Sequence, residues 1–481
     1  MKTETVVHSM KWSVATEFLS KIMTPISNMI LARLLAPDAF GIVATLSIVT
    51  TLAETFADMG VQKFLVQHDF ASDKERNEYV NTAFWIVIVF AIVLVSLLGY
   101  FRETLAAFAG SSGYGNEMFV MSWQLLLVSY SGIQISLYRR EFRFKELMPV
   151  RIVNSLVYLI VTVIVAIILK NCWALILGSI AREAMGAILL TRKSFWKPSI
   201  YFNVSHLKKM LAMSLWMQVE TLLIWVTSNV DVFILAKGLS SYSLGIYKQG
   251  MATIRPYTNL LFSMTAPVLF STLSRVSEQK KECDGYLLNF QRYTAYIVLP
   301  FGFSVLVFRK LVTYILLGGQ WEDAALLLGL IGMSSAVSVI VCQYNSIYFR
   351  AVGKPGMSLI VQTIYGGALV FGCLYYGKGT FRNLCIFRGG VELLHSVFSG
   401  MVMRLKFGIK IGTFFLNIWQ SIIMVGIILV LGTALVKISE NMVWQFIAAL
   451  LVVFFSCLVG YFLPGVKKDL HQLVGSLKKV A

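Results

Sequence analysis

Charge is scarce in this chain. Of its 481 residues only 14% are Asp, Glu, Lys or Arg, and 57% are hydrophobic; mean hydropathy is +0.73. Soluble domains carry about 25% charged residues, so an ordinary soluble globular protein is excluded. Long polar loops are also missing. No connection between apolar runs reaches 25 residues, which leaves no room for a soluble catalytic domain beside the membrane. There is no Gly-rich loop ending in Lys-Ser or Lys-Thr to cradle nucleotide phosphates, so nothing indicates use of ATP. Cysteine is sparse: Cys172, Cys283, Cys342, Cys373, Cys385 and Cys457 show no disulfide or metal spacing, fall mostly inside apolar runs, and read as small core residues. The opening stretch MKTETVVHSMKWSVA lacks the short apolar core and small-residue cleavage site of a signal peptide, so the first span is expected to persist.

What is present is a succession of apolar runs near 20 residues, each long enough to cross a bilayer as a helix. Fourteen spans are expected: about 13–35, 41–62, 81–101, 117–137, 149–169, 172–192, 210–235, 243–271, 288–309, 323–347, 356–376, 381–403, 413–436 and 442–463. The fold class is therefore an all-α integral membrane protein. The span 243–271 is the least regular, holding Lys248, Arg255, Pro256 and Pro267.

Bases outnumber acids 42 to 24, a net charge of +18. On a soluble protein that excess points to nucleic acid; here the bases sit in short loops. With the N-terminus cytoplasmic, one side holds 28 of the 42, among them Arg139, Arg140, Arg143, Lys145 and Arg151, and the other side nine. That is the positive-inside bias, and it predicts an even number of spans with both termini cytoplasmic.

An internal repeat organises the spans. Residues 30–42, ILARLLAPDAFGI, match residues 234–246, ILAKGLSSYSLGI, at an offset of 204. An offset of six helices returns the second copy in the same orientation, as in parallel repeats related by an axis along the membrane normal. The expected units are residues 1–203 (spans 1–6), 204–407 (spans 7–12) and 408–481 (two extra spans and a tail). Duplicated bundles are the plan of carriers that rock two halves about a central site.

Twelve ionisable residues fall inside spans: Glu17, Lys21, Glu54, Asp58, Arg182, Glu183, Glu220, Asp231, Lys248, Arg255, Arg388 and Glu392. At about 2.5–3.5 kcal/mol each in lipid, most must face protein or water. They concentrate in spans 1, 2, 6, 7, 8 and 12, which correspond pairwise under the repeat. At 100° per residue, Glu17 and Lys21 lie about 40° apart on their helix, as do Arg388 and Glu392. Glu54, Asp58 and Glu183 read chiefly as ion pairs locking the bundle. Lys21, Lys248, Arg255 and Arg388 read as cavity residues. Glu17, Glu220, Asp231 and Glu392 fit either role. Pro25 and Pro256 would permit kinks beside Lys21 and Arg255. His395 reads as a packing residue, and no aromatic residue is assigned a stacking role.

The segments ILARLLAPDAFGIVATLSIV and NVDVFILAKGLSSYSLGIYKQG carry a resemblance. The first, with its leucine-rich helix end, Pro-acid turn and Phe-Gly, resembles the opening of the polysaccharide transporters. The second resembles their second-half counterpart. This is the oligosaccharide flippase family, with its Wzx-type O-antigen and capsule members, in the superfamily that also holds multidrug antiporters. The resemblance implies fourteen helices in two lobes around an alternately opening cavity, in the bacterial cytoplasmic (inner) membrane. It implies movement of polyprenyl-pyrophosphate-linked oligosaccharide to the outer leaflet for lipopolysaccharide or capsule synthesis, alongside other polysaccharide assembly proteins. Basic cavity residues would hold the pyrophosphate, a role carried to Lys21, Arg182, Lys248, Arg255 and Arg388. Glu17, Glu220, Asp231 or Glu392 would bind a coupling H⁺ or Na⁺; no other cofactor is implied. Against this, five bases and seven acids within spans leave a formal −2. A cation-coupled drug antiporter on the same fold is the alternative, and would depend on carboxylates more than bases. A membrane glycan polymerase or glycosyltransferase is the third reading, disfavoured by the short loops.

Overall fold

The computed structural model describes residues 23, 26–141, 143–194, 196–467 and 469, and these form helices joined by short connections, with no strand among them. The membrane helices are numbered here in chain order. α1 is described over 26–34. It is followed by α2 (Pro37–Asp58), α3 (Asp73–Tyr100), α4 (Gly115–Arg140), α5 (Phe144–Leu169), α6 (Trp173–Lys193) and α7 (Val204–Leu235). Then come α8 (Ser241–Arg275), α9 (Lys280–Val307), α10 (Gly319–Ala351), α11 (Pro355–Tyr376), α12 (Phe381–Phe407), α13 (Trp419–Ile438) and α14 (Met442–Phe462).

Nine of these are both long and apolar enough to cross a membrane among the described residues, or ten if α9 is joined to the short helix Arg309–Leu316, which bends away by 94°. α7, α8 and α12 run 32, 35 and 27 residues. At 1.5 Å per residue that is about 40–52 Å, more than the hydrocarbon core requires. Each carries two of the charged residues expected inside spans, which lowers its mean hydropathy.

Local sequence sets the helix ends. Pro37 opens α2 with Asp38 in its first turn, where a fixed φ and a negative charge both suit a helix N-terminus. Ser72 caps α3 by accepting from the Glu75 amide while the Glu75 carboxylate accepts from the Ala71 amide. Asn203 caps α7 through the Ser205 and His206 amides. Gly408, at φ +74°, ends α12. α10 begins with a 3₁₀ turn at Gly319–Ala324 and carries a π turn at Val339–Gln343. α8 is helical on both sides of Pro256.

The chain divides into two compact units, Met1–Lys248 and Gln249–Ala481, with the boundary inside α8. In the first, α4 packs on α2, α3 and α6, and α7 packs on α2. Its core gathers Phe64, Tyr79, Phe84, Ile133, Leu137 and Trp196. α5 and α6 form a close hairpin, yet only 11% of the apolar window of α5 is buried, so most of that helix presents side chains to lipid. In the second unit α10 is central, with 72% of its window buried. It packs between α9 and α12; α11 lies on α12, and α13 joins α9 to α14. The repeat boundary expected near residue 204 and this packing boundary are different quantities: α7, expected to open the second copy, packs on α2 within the first unit.

Candidate functional site

Glu392 organises the polar centre of the second unit. On α12 it stands one turn after Arg388, the two separated by 3.9 Å, and Arg255 of α8 approaches the same carboxylate oxygen at 3.9 Å. Ser335 Oγ donates to Glu392 Oε1 at 3.1 Å and Ser334 Oγ to Oε2 at 3.3 Å, both from α10. Arg388 Nη1 donates to the Tyr365 hydroxyl of α11 at 2.8 Å, and the Tyr365 ring stacks on His395 at 4.3 Å. Arg388 is 2% exposed and the Glu392 side chain 9%, whereas the Arg255 side chain is 39% exposed. A buried carboxylate held by two hydroxyls and two guanidiniums is satisfied at both oxygens. Two bases against one acid leave the cluster with a formal charge of +1. Its reachable positive group is Arg255.

The first unit holds a second group. Arg182 pairs with the adjacent Glu183 at 2.7 Å and lies 5.6 Å from the Tyr158 ring centre. Beside it Ser179 donates to Gln124, and Gln124 to Glu54, at 3.2 and 2.9 Å. Asp58 accepts from the Gln62 amide. The expected locking role thus divides: Glu183 meets a base, while Glu54 and Asp58 are held by neutral donors. Asp231 is held by its neighbours in the motif, the Val232 amide at 2.8 Å and the Tyr247 hydroxyl at 2.7 Å. That bond ties the end of α7 to the start of α8. Lys248 follows Tyr247 and is half-buried.

Of the residues singled out in the sequence, the structure brings together Arg255, Arg388 and Glu392. It keeps Arg182, Asp231 and Lys248 in the other unit. Glu17, Lys21 and Pro25 lie outside the described residues, and only the backbone of Glu220, on α7, is described. The two polar groups also contain residues that sequence reasoning passed over. Tyr365 and Tyr158 sit against arginines although no aromatic had been given such a role. Ser334 and Ser335 were signalled only by a polar pair inside the apolar run LIGMSSAVS. Among the described residues no group of His, Cys, Asp and Glu is suited to a metal. The six cysteines are unpaired thiols, five buried and Cys457 exposed.

Long apolar helices around buried ionic groups define a polytopic membrane protein. Its fold is that of the solved lipid II flippase MurJ in an inward closed conformation, with a TM-score of 0.69 over 94% of this chain and 98% of that one, at 15% identity. The chain belongs to the polysaccharide biosynthesis protein family, whose model matches residues 30–326. Similar proteins include the succinoglycan biosynthesis transport protein ExoT of Rhizobium meliloti (strain 1021), 21% identical over 78% of this chain and 76% of that one. Another is the lipopolysaccharide biosynthesis protein WzxC of Escherichia coli (strain K12), 17% identical over 74% and 70%.

Proposed function

We propose that the protein is a transporter, not an enzyme, and that it moves a lipid-linked oligosaccharide across the bacterial cytoplasmic membrane during surface polysaccharide synthesis. The observation that carries this reading is the cluster of Arg255, Arg388, Tyr365 and Glu392, positively charged overall, buried in the flippase fold of a polysaccharide biosynthesis family member. The lipid carrier is read as a polyprenyl pyrophosphate. A diphosphate offers several acceptor oxygens, and guanidinium donors match them in a planar fork that lysine lacks. Arg255 is the first contact. Glu392 is the counter-ion that Arg255 exchanges for the diphosphate, while the buried Arg388 keeps Glu392 in place. An inside-negative potential adds about 2.3 kcal/mol per charge per 100 mV to outward movement of the anion.

A glycan-export assay in cells lacking the gene, rescued by variants matched for membrane abundance, tests the site. Losing one charge-assisted bond worth about 1.5–3 kcal/mol should lower export by roughly 10–100-fold in Arg255→Ala. Full export by both Arg255→Ala and Arg388→Ala would end the assignment.

A further inference from the structure

The second unit contains a cavity of about 530 Å³ that the polar cluster does not use. Its walls come from Leu287 and Leu299 of α9, Ile340 of α10, Met403 of α12, and Ile418 and Val425 where α13 begins. Pockets for whole small ligands run about 300–1,000 Å³. Besides Lys410 at the rim, three polar residues reach the lining: Gln291, Asn345 and Ser396. Their donors are already taken. Gln291 Nε2 donates to the Ile340 carbonyl at 3.0 Å and to Asn345 Oδ1 at 3.1 Å; Asn345 Nδ2 donates to Ser399 Oγ at 3.1 Å; Ser396 Oγ donates to the Glu392 carbonyl at 3.1 Å. A sugar or a phosphate would find almost nothing to bond there, so the cavity suits an apolar chain.

The mouth identifies where such a chain enters. Val397, Phe415 and Ile422 line the cavity and are themselves 50%, 54% and 44% exposed. Exposed apolar residues on a membrane helix face hydrocarbon, so the cavity opens sideways into the bilayer. Its rim carries Lys410, exposed, at the end of the run RLKFGIK, which holds Arg404, Lys406 and Lys410 and no acid. An acid beside this run, Asp284, is engaged by Lys280 at 3.4 Å and by the Tyr348 hydroxyl at 2.7 Å, and the Tyr348 ring packs on Phe407.

We infer that this cavity is a site for one acyl chain of an anionic phospholipid of the cytoplasmic leaflet, with Lys410 on its phosphate. The inference rests on the cytoplasmic placement of residues 404–410 and not on the export reading. Each buried methylene contributes about 0.8 kcal/mol relative to water, but relative to the bilayer the chain gains only packing, so the headgroup supplies the selectivity. A resident chain fills the space between α9, α12 and the start of α13, and the lipid becomes part of the wall.

Gly400 provides the test, because it lines the cavity and a Cβ there meets no atom within 4 Å. Purified protein in nanodiscs of mixed phosphatidylglycerol and phosphatidylcholine is examined by native mass spectrometry for retained lipid. The wild type should retain phosphatidylglycerol in preference. Gly400→Phe should abolish retention with unchanged helicity. Lys410→Gln should weaken the preference about fivefold, the equivalent of about 1 kcal/mol for one base near the headgroups. Equal retention by wild type and Gly400→Phe, no preference for the anionic lipid, or retention of polyprenyl lipid alone would each overturn the assignment. Export assays on the same variants keep the two readings apart: Lys410→Gln can lose its lipid preference while Arg255-dependent export persists.

Discussion

Gly41 and Gly245 lie backbone against backbone. A Cβ built on either would collide with the carbonyl oxygen of the other helix, Ser241 for Gly41 and Pro37 for Gly245, and would stand 3.0 Å from the facing glycine's amide nitrogen. The contact is reciprocal. These are also the two glycines aligned by the 204-residue repeat, Phe-Gly-Ile in one copy and Leu-Gly-Ile in the other. The repeated motif is therefore a self-complementary joint between the first turns of α2 and α8.

Replacing either glycine by alanine should be destabilising. Inside a helix, Gly→Ala ordinarily gains up to about 1 kcal/mol from propensity. Here overpacking should outweigh that gain, at about 1–3 kcal/mol. Gly367, in α11, is the control, since a Cβ there meets nothing within 4 Å. Thermal unfolding of the purified protein should fall for Gly41→Ala and Gly245→Ala and hold or rise for Gly367→Ala. Equal midpoints for all three would show that the joint is loose.

How much of this was legible follows the range of the interaction. The Arg388–Glu392 pair could be read from an i,i+4 spacing, because helix geometry alone brings those side chains together. The match of 30–42 with 234–246 could be read from the residues themselves, although the glycine-on-glycine contact it makes could not. Arg255 belongs to the same site through its side-chain contact with Glu392 across from α8 to α12, which no local spacing encodes. Ser334, Ser335 and Tyr365 looked like ordinary residues of apolar runs until a buried carboxylate and guanidinium needed partners. Asp231 was read as a coupling acid or an ion pair; its partner proved to be a neutral hydroxyl sixteen residues on, across a helix turn whose geometry was not predictable.

Arg255 and Arg388 should separate in experiment although they share one counter-ion. Arg388 is almost wholly buried, so Arg388→Ala leaves Glu392 with half its charge support and opens a space beneath Tyr365. Breaking a buried pair in this way costs about 3–5 kcal/mol. Arg255 is over a third exposed and should contribute little to stability. Arg388→Ala should therefore lower membrane abundance and the unfolding midpoint together with export. Arg255→Ala should lower export at nearly normal abundance. A normal midpoint for Arg388→Ala would show that its buried bonds are replaceable by water.

Tyr247→Phe removes the hydroxyl that meets Asp231 and nothing else. Hydrogen bonds to charged groups are worth about 1.5–3 kcal/mol. Tyr247 is 1% exposed, so water cannot readily take the vacated place. The unfolding midpoint should drop, and Asp231→Asn, which can still accept the bond, should drop less. Were Asp231→Asn as stable as wild type yet inactive in export, the carboxylate would have a transport role beyond this lock.

Asp469 fastens the chain after α14 back onto α9. Its carboxylate takes Arg292 and the Tyr296 hydroxyl, each at 2.9 Å, and Asn417 adds a bond to the Leu288 carbonyl at 2.7 Å. The side chain of Asp469 is 9% exposed, and that of Arg292 is 25% exposed. Removing one member strands the other, so Asp469→Ala should cost more than removing both. The double variant Asp469→Ala/Arg292→Ala should recover part of the lost midpoint, a coupling of about 0.5–3 kcal/mol for neighbours in one network. Strictly additive losses would mean that solvent already screens the pair and that the latch is held by apolar contacts, chiefly Val466 against Tyr293 and Tyr296.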